Sequence, residues 1–417
     1  MPSKRSTLVS GVCAFLILTF LIADEKMDAS HEVFMSHPIR PGATLGLLGG
    51  GQLGRMFTLA ARDLGFRVHA LDPGHDCPAG QVADFEVRAH FNDIYAAQAL
   101  ARGVDVMTVE FENIPSSTLE AVAEICPMHP SAFVVHTVQH RLREKRFLVE
   151  HGFPVTPFRE INSEADLREA ASRLGLPAVL KTASFGYDGK GQQKLDATTD
   201  LGAAFRALGA QGGQQGILEA WVPFELECSV ICARSASGES AVWPVAENVH
   251  VRHILDTTVM PARISSEIAV AAQSTALRIA EALEIVGILT VEFFIKPGGE
   301  LLVNELAPRP HNSGHATIDA CVTSQFEQQV RAVCGLPLGA TTLLKPAAMA
   351  NLLGELWPKD GEPAWENLLA FPDVKLHLYG KTEARHGRKM GHLTALGDTA
   401  QEALDKVLKA RAALAGV

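Results

Sequence analysis

From Thr44 to about Pro130 the chain alternates short apolar runs with amphipathic stretches. TLGLL, FRVHAL and DVMTV have strand length, and QLGRMFTLAARDLG and DIYAAQALARG between them carry apolar residues at helical spacing. This pattern predicts an open parallel α/β unit. A charged helix, VQHRLREKRFLVEHG (138–152), then hands over to a section with a different rhythm. There PAVLKTASFGYDGKGQQKL (177–195) predicts two strands joined by a glycine-rich loop, and ILEAWVPFELECSVICAR (217–234) a strand pair broken at Pro223. A helix over 266–285 precedes GILTVEFFIKPGGELLVNEL (287–306), a hairpin that turns at Pro297, Gly298 and Gly299. Another helix is expected near 323–335. Beyond about Lys345 the pattern gives a short strand, VKLHLYG, and an alanine-rich terminal helix. The chain contains no internal repeat.

Composition narrows the class. A length of 417 residues suggests two to four domains, and 47% apolar with 20% charged residues is ordinary for a soluble enzyme. A net charge of -10 without a long basic run argues against a general nucleic-acid binder. Cysteines 13, 77, 126, 228, 232, 321 and 334 are scattered, which predicts buried, reduced thiols in a cytoplasmic protein rather than a zinc site. The first 42 residues stand apart. Lys4 and Arg5 precede 16 uncharged residues, Leu8 to Ala23, a run that resembles a signal peptide and is short for a spanning helix. Met27 and Met35 are alternative starts, so this extension is expected to precede the functional chain. Targeting is the second reading, and no stable membrane association is expected.

Gly49, Gly51 and Gly54 have the G-x-G-x-x-G spacing of a dinucleotide-binding turn, and Asp72 follows 18 residues after Gly54. That motif alone suggests an NAD or FAD oxidoreductase. GYDGKGQ (186–192) is a second glycine loop, in which backbone amides and Lys190 suit phosphate oxygens, although a mobile hairpin turn is the plain alternative. Lys181 ends the strand before it. ILEAWV then offers Glu219 and the backbone around Val222 as an adenine reader, with Glu227 placed for a ribose hydroxyl. Glu292 and Glu305 fall inside apolar runs on the two strands of one hairpin. Burying both needs a neutralising cation or basic partner; with a bound triphosphate, Mg²⁺ fits. NELAPRPHNSGH follows at once and packs Arg309, His311, Asn312, Ser313 and His315 into seven residues.

GGGQLGRM, EFENIP, QHRLREK, VLKTASFGYDGKGQ, ILEAWVPFELE, AENVH, VNELAPRPHNSGH, TSQFEQ and LHLYGKTEARHGRKMGH occur in this order over roughly 43–395. In this the chain resembles the 5-(carboxyamino)imidazole ribonucleotide synthases, ATP-grasp ligases of purine biosynthesis. The resemblance implies an α/β and α+β multidomain protein. A Rossmann-like pre-ATP-grasp domain (43–140) precedes an ATP-grasp domain (141–345, lid about 155–220) and a small β-rich C-terminal domain (346–417).

It also implies roles. ATP is expected at Arg141, Lys181, Gly186, Tyr187, Asp188, Gly189, Lys190, Gly191, Gln192, Glu219, Ala220, Trp221, Val222, Glu227, His250, Asn304 and Glu305. Glu292 and Glu305 hold Mg²⁺, with Mn²⁺ as the alternative ion. Bicarbonate attacks ATP, and the carboxyphosphate formed carboxylates the amine of 5-aminoimidazole ribonucleotide. The implied catalytic set is Arg309, His311, Lys381 and Asp188, with Arg309 and His311 holding bicarbonate. The ribonucleotide is expected at Gly51, Gln52, Leu53, Gly54, Glu110, Glu112, Tyr187, Asn312, Ser313, His315, Arg388 and Lys389. Its 5′-phosphate is assigned to the glycine turn, completed by Lys381, Arg388 and Lys389. A homodimer is implied. The rival readings are the oxidoreductase, another ATP-grasp ligase such as a formate-using ribonucleotide transformylase or a biotin-dependent carboxylase, and a membrane-anchored binding protein using 8–23.

Overall fold

The computed structural model describes residues 37–184, 191–210, 215–359 and 361–415. Three sheets organise them. The first is parallel, with strands β1 (Thr44–Leu48), β2 (Arg67–Asp72), β3 (Phe85–Arg88), β4 (Val106–Val109) and β5 (Met128–His129) in the order β3-β2-β1-β4-β5. Helices cover both faces, so β1 and β4 are buried almost throughout, as their continuous apolar runs require. At the end of β1 the chain turns through Gly49 at φ 112, and a side chain there would collide with Glu110. The helix Gln52–Asp63 starts directly after it.

The second sheet is antiparallel and contains β6 (Phe158–Ile161), β7 (Ala178–Thr182), β8 (Gln192–Leu195) and β9 (Gly216–Ala220), ordered β6-β9-β7-β8. The third, also antiparallel, has nine strands. They are β10 (Leu226–Arg234), β11 (Ser240–Val242), β12 (Ala246–Val251), β13 (Ile254–Met260), β14 (Gly287–Ile295), β15 (Leu301–Ala307), β16 (Ala347–Leu353), β17 (Val374–Leu378) and β18 (Lys389–Leu396). The path is β15-β14-β10-β12-β13-β16-β18-β17, with β11 on β10. The C-terminal strands therefore extend this sheet through the β13–β16 pairing. The helix Ser266–Ala282 packs on β10 and β14, and the terminal helix Ala400–Leu414 on β16 and β18.

Two readings of the sequence change. The charged helix expected over 138–152 runs from Arg141 to Glu150, and Val138 instead ends a separate helix, Ala132–Val138. They part at His140, which bridges to Ser184, just past the end of β7. The pair broken at Pro223 is correct in its strands, but β9 and β10 belong to different sheets, so Trp221–Glu225 crosses from one to the other. The six described cysteines are free and buried, as expected. Among the described residues no helix is long and apolar enough to cross a membrane, and the apolar run 8–23 lies outside them.

Candidate active site

The two antiparallel sheets and the helix Arg141–Glu150 converge on a set of buried charges. Glu292 on β14 and Glu305 on β15 are direct partners across the hairpin. Burial raises the pKa of Glu305, and the neighbouring Glu292 raises it further, against Arg141 and Lys181. Glu292 goes the other way. Burial opposes its charge, but the His311 ring, with Nε2 at 3.1 Å, holds the carboxylate well below the usual range. Two hard oxygen donors of unlike proton affinity thus face each other with no lysine or arginine bridging them among the described ion pairs. Among the described residues no group of three or more His, Cys, Asp or Glu side chains forms a metal site, so a cation here needs further oxygens from substrate or water.

Lys181 on β7 and Lys145 on the helix Arg141–Glu150 both reach Glu219 on β9, at 2.5 and 3.5 Å. Burial alone would raise the Glu219 pKa, yet the two lysines bring it down to about 2. Lys145 also donates to the carbonyls of Val303 and Asn304, at 3.2 and 2.8 Å, locking the hairpin to the helix. Beside it Glu144 accepts from the Leu306 amide at 3.2 Å, and burial together with Glu305 raises its pKa. Arg141 donates to the Thr182 carbonyl. Glu227 on β10 meets His250 Nδ1 on β12 at 2.7 Å. Trp221 is half-exposed with Lys194 Nζ over its ring at 3.7 Å, between Ala220 and Val222 in the inter-sheet crossing. Gly191 follows the glycine loop at φ 75, and Gln192 reaches His253. Gly186, Tyr187, Asp188, Gly189 and Lys190 lie outside the described residues.

The loop after β15 is fixed from below. Gln325 accepts from the His311 amide and donates to its carbonyl, while Ser313 Oγ lies 2.9 Å from His311 Nδ1 and 2.7 Å from Ser229 Oγ. Arg309 forks onto Glu112, with Nε and Nη2 at 2.5 and 3.1 Å from its two oxygens. Burial opposes the Glu112 charge, yet that contact brings its pKa below the ordinary value.

One expectation needs correction. The amides of Gly51 and Gly54 are not open to a phosphate: both donate to the Glu110 carboxylate, at 2.5 and 2.7 Å. Asp72 ends β2 and accepts from the Gly50 and Gly74 amides, bracing the turns on either side of it. Asn312, Ser313 and His315 are buried: Asn312 exchanges amide hydrogen bonds with Asn351, and His315 packs among His392, Tyr379 and Phe326. These contacts hold the loop that carries Arg309 and His311.

The basic C-terminal segment closes on the first domain. Gln81 donates to the Gly380 carbonyl at 2.9 Å and accepts from Arg55, one turn into the helix after the glycines. Lys381 Nζ donates to the Lys389 carbonyl and Arg388 to that of Glu383, so three cations share one loop.

Two antiparallel sheets meeting beside a pair of facing carboxylates are the arrangement of an ATP-grasp ligase. Three family models cover almost all of the described chain: a ribonucleotide synthetase preATP-grasp domain over 42–139, an ATP-grasp domain over 146–326, and a phosphoribosylaminoimidazole carboxylase C-terminal domain over 347–406. The chain is 44% identical to the N5-carboxyaminoimidazole ribonucleotide synthase of Bacillus subtilis, across 88% of this chain and 95% of the relative. It is 45% identical to that of Brucella melitensis, across 86% and 97%. It resembles the solved ADP complex of such a synthetase at TM-score 0.84 and 46% identity, over 90% of this chain and 98% of that one. The Aspergillus clavatus synthase in complex with ADP and 5-aminoimidazole ribonucleotide aligns at TM-score 0.81 and 32% identity, over 90% and 99%. The chain belongs to the N5-carboxyaminoimidazole ribonucleotide synthase family.

Proposed function

We infer that this enzyme uses ATP and bicarbonate to carboxylate the exocyclic amine of 5-aminoimidazole ribonucleotide, releasing ADP and phosphate. The observation that carries the reading is the Glu292–Glu305 pair beside Lys181, Arg141 and His311. The adenine sits against Ala220–Val222, with Glu219 and Glu227 marking its edge and the ribose. Glu292 and Glu305 would hold Mg²⁺, or Mn²⁺, and the ion, when bound, would supply electrostatic stabilisation for phosphoryl transfer. His311 positions Glu292 and, with Arg309, holds bicarbonate for in-line attack on the terminal phosphorus. For Arg309 to bind an anion it must share its guanidinium with Glu112, and its spare N–H groups permit this. The attack forms the C–O–P bond of carboxyphosphate and breaks the bond to ADP. The amine then displaces phosphate at the carboxyl carbon, or captures the CO₂ released, and loses a proton.

Lys381, Arg388 and Lys389 take the 5′-phosphate in place of the glycine amides that Glu110 occupies. Gly51–Gly54, held by Glu110, form the wall beside the ribonucleotide, with the Gln52 and Leu53 backbone facing it. Tyr187 and Asp188 are assigned to the imidazole and ribose of the ribonucleotide on the family resemblance. A homodimer and a cytoplasmic setting are proposed on the family resemblance alone. Carbon-13 NMR of a reaction supplied with labelled bicarbonate tests the chemistry. The label should enter an N-carboxylate of the ribonucleotide; label remaining only in bicarbonate would refute it.

A further inference from the structure

A cavity of about 980 Å³ lies away from the nucleotide cleft, between β5, the helix Ala132–Val138, the helix Arg141–Glu150 and the end of the helix Ser266–Ala282. Its walls include Met128, Ala132, Phe133, Phe147 and Leu283. Within this largely apolar lining sit two buried polar atoms without a hydrogen-bond partner, Arg143 Nε and His129 Nε2. Arg143 is the anomaly. It is half-buried and forms no ion pair among the described residues, whereas Arg146 on the same wall pairs with Glu160. The lining carboxylates, Glu150 and Glu284, are exposed and neither pairs with it. A guanidinium nitrogen buried with no partner is costly unless an acceptor completes it. His129 is kept neutral by burial, which brings its pKa to about 4, so its ring adds a hydrogen-bonding edge without charge.

We propose that this cavity is a second ligand site, which takes a small anion, a carboxylate or a phosphate, on an apolar body. The anion meets Arg143 and the His129 ring, and the body fills the space between Phe133, Phe147 and Leu283. Such a volume is at the upper end of small-molecule pockets. The site shares only a helix with the cleft: Arg141, Glu144 and Lys145 serve the nucleotide side, and Arg143, Phe147 and His151 the cavity.

The test is calorimetric titration of the full-length enzyme saturated with ADP and Mg²⁺, using phenylbutyrate, phenyl phosphate and the neutral phenylbutanol. At least one anion should bind at least about tenfold more tightly than the alcohol, as a charge-assisted contact requires. Which anion binds better distinguishes a carboxylate from a phosphate ligand. Arg143→Met should remove that preference and leave alcohol binding unchanged, and Ala132→Trp, which fills the space, should abolish binding of all three. Anions no tighter than the alcohol, an unaltered preference in Arg143→Met, or no anion binding at millimolar concentration would each overturn the proposal. So would a sedimentation shift in Ala132→Trp together with silent titrations, which would assign the cavity to a second copy of the chain.

Discussion

Glu292 and Glu305 stand opposite each other in the β14–β15 ladder, yet their proton affinities move in opposite directions. His311 explains the low one, and its own low-affinity neighbour together with burial explains the high one. A cation placed between them relieves the cost of Glu305.

Replacing that carboxylate by its amide separates stability from activity. Glu305→Gln should fold at least as well as the parent without metal, because the unfavourable charge is gone. Its ATP turnover should fall roughly 10²–10³-fold, as expected when an electrostatic stabiliser of the transition state is lost. Thermal melts with and without Mg²⁺·ADP check this, with the variant losing most of the metal-dependent shift.

Glu219 provides a pH test. Its folded pKa of about 2 lies below the ordinary value of 4.5, so its contribution is complete above 4.5 and is lost as pH falls towards 2. Glu219→Gln leaves Lys145 buried without a carboxylate and should cost ~3 kcal/mol at neutral pH. Urea unfolding of both proteins at several pH values should show the gap narrowing only below about pH 4.5.

The C-terminal cations should matter for one substrate. Arg388→Ala should raise the apparent KM for 5-aminoimidazole ribonucleotide roughly tenfold or more, consistent with losing one charged hydrogen bond, and leave that for ATP near the parent value. Equal effects on both would place Arg388 elsewhere.

Glu110 separates two roles for the glycine turn. Glu110→Gln retains one acceptor for two amides and should cost about 1–2 kcal/mol, with a raised KM for the ribonucleotide and an unchanged one for ATP. A lowered ribonucleotide KM would instead return the phosphate to the Gly51 and Gly54 amides. Steady-state kinetics in each substrate decides.

Much of this fold is legible because local pattern and tertiary role agree. The β1 turn, the β14–β15 hairpin and the charges on it follow from apolar runs and from residues too polar to be buried unpartnered. What escapes the sequence is long-range pairing. Nothing local links Glu110 to amides 56 and 59 residues away, so the turn reads as open when it is capped. Lys145 is lost in a helix crowded with charges, although such density already means that some must point inward. The partners of Asn312 and His315 escape it too, because nothing in a polar loop points to Asn351 or His392.

The central claim is a coupled reaction, so the most direct measurement is ADP release with each substrate omitted in turn. The account predicts substantial ADP only when bicarbonate and 5-aminoimidazole ribonucleotide are both present. ADP release that is indifferent to bicarbonate, or that formate sustains in its place, would contradict it.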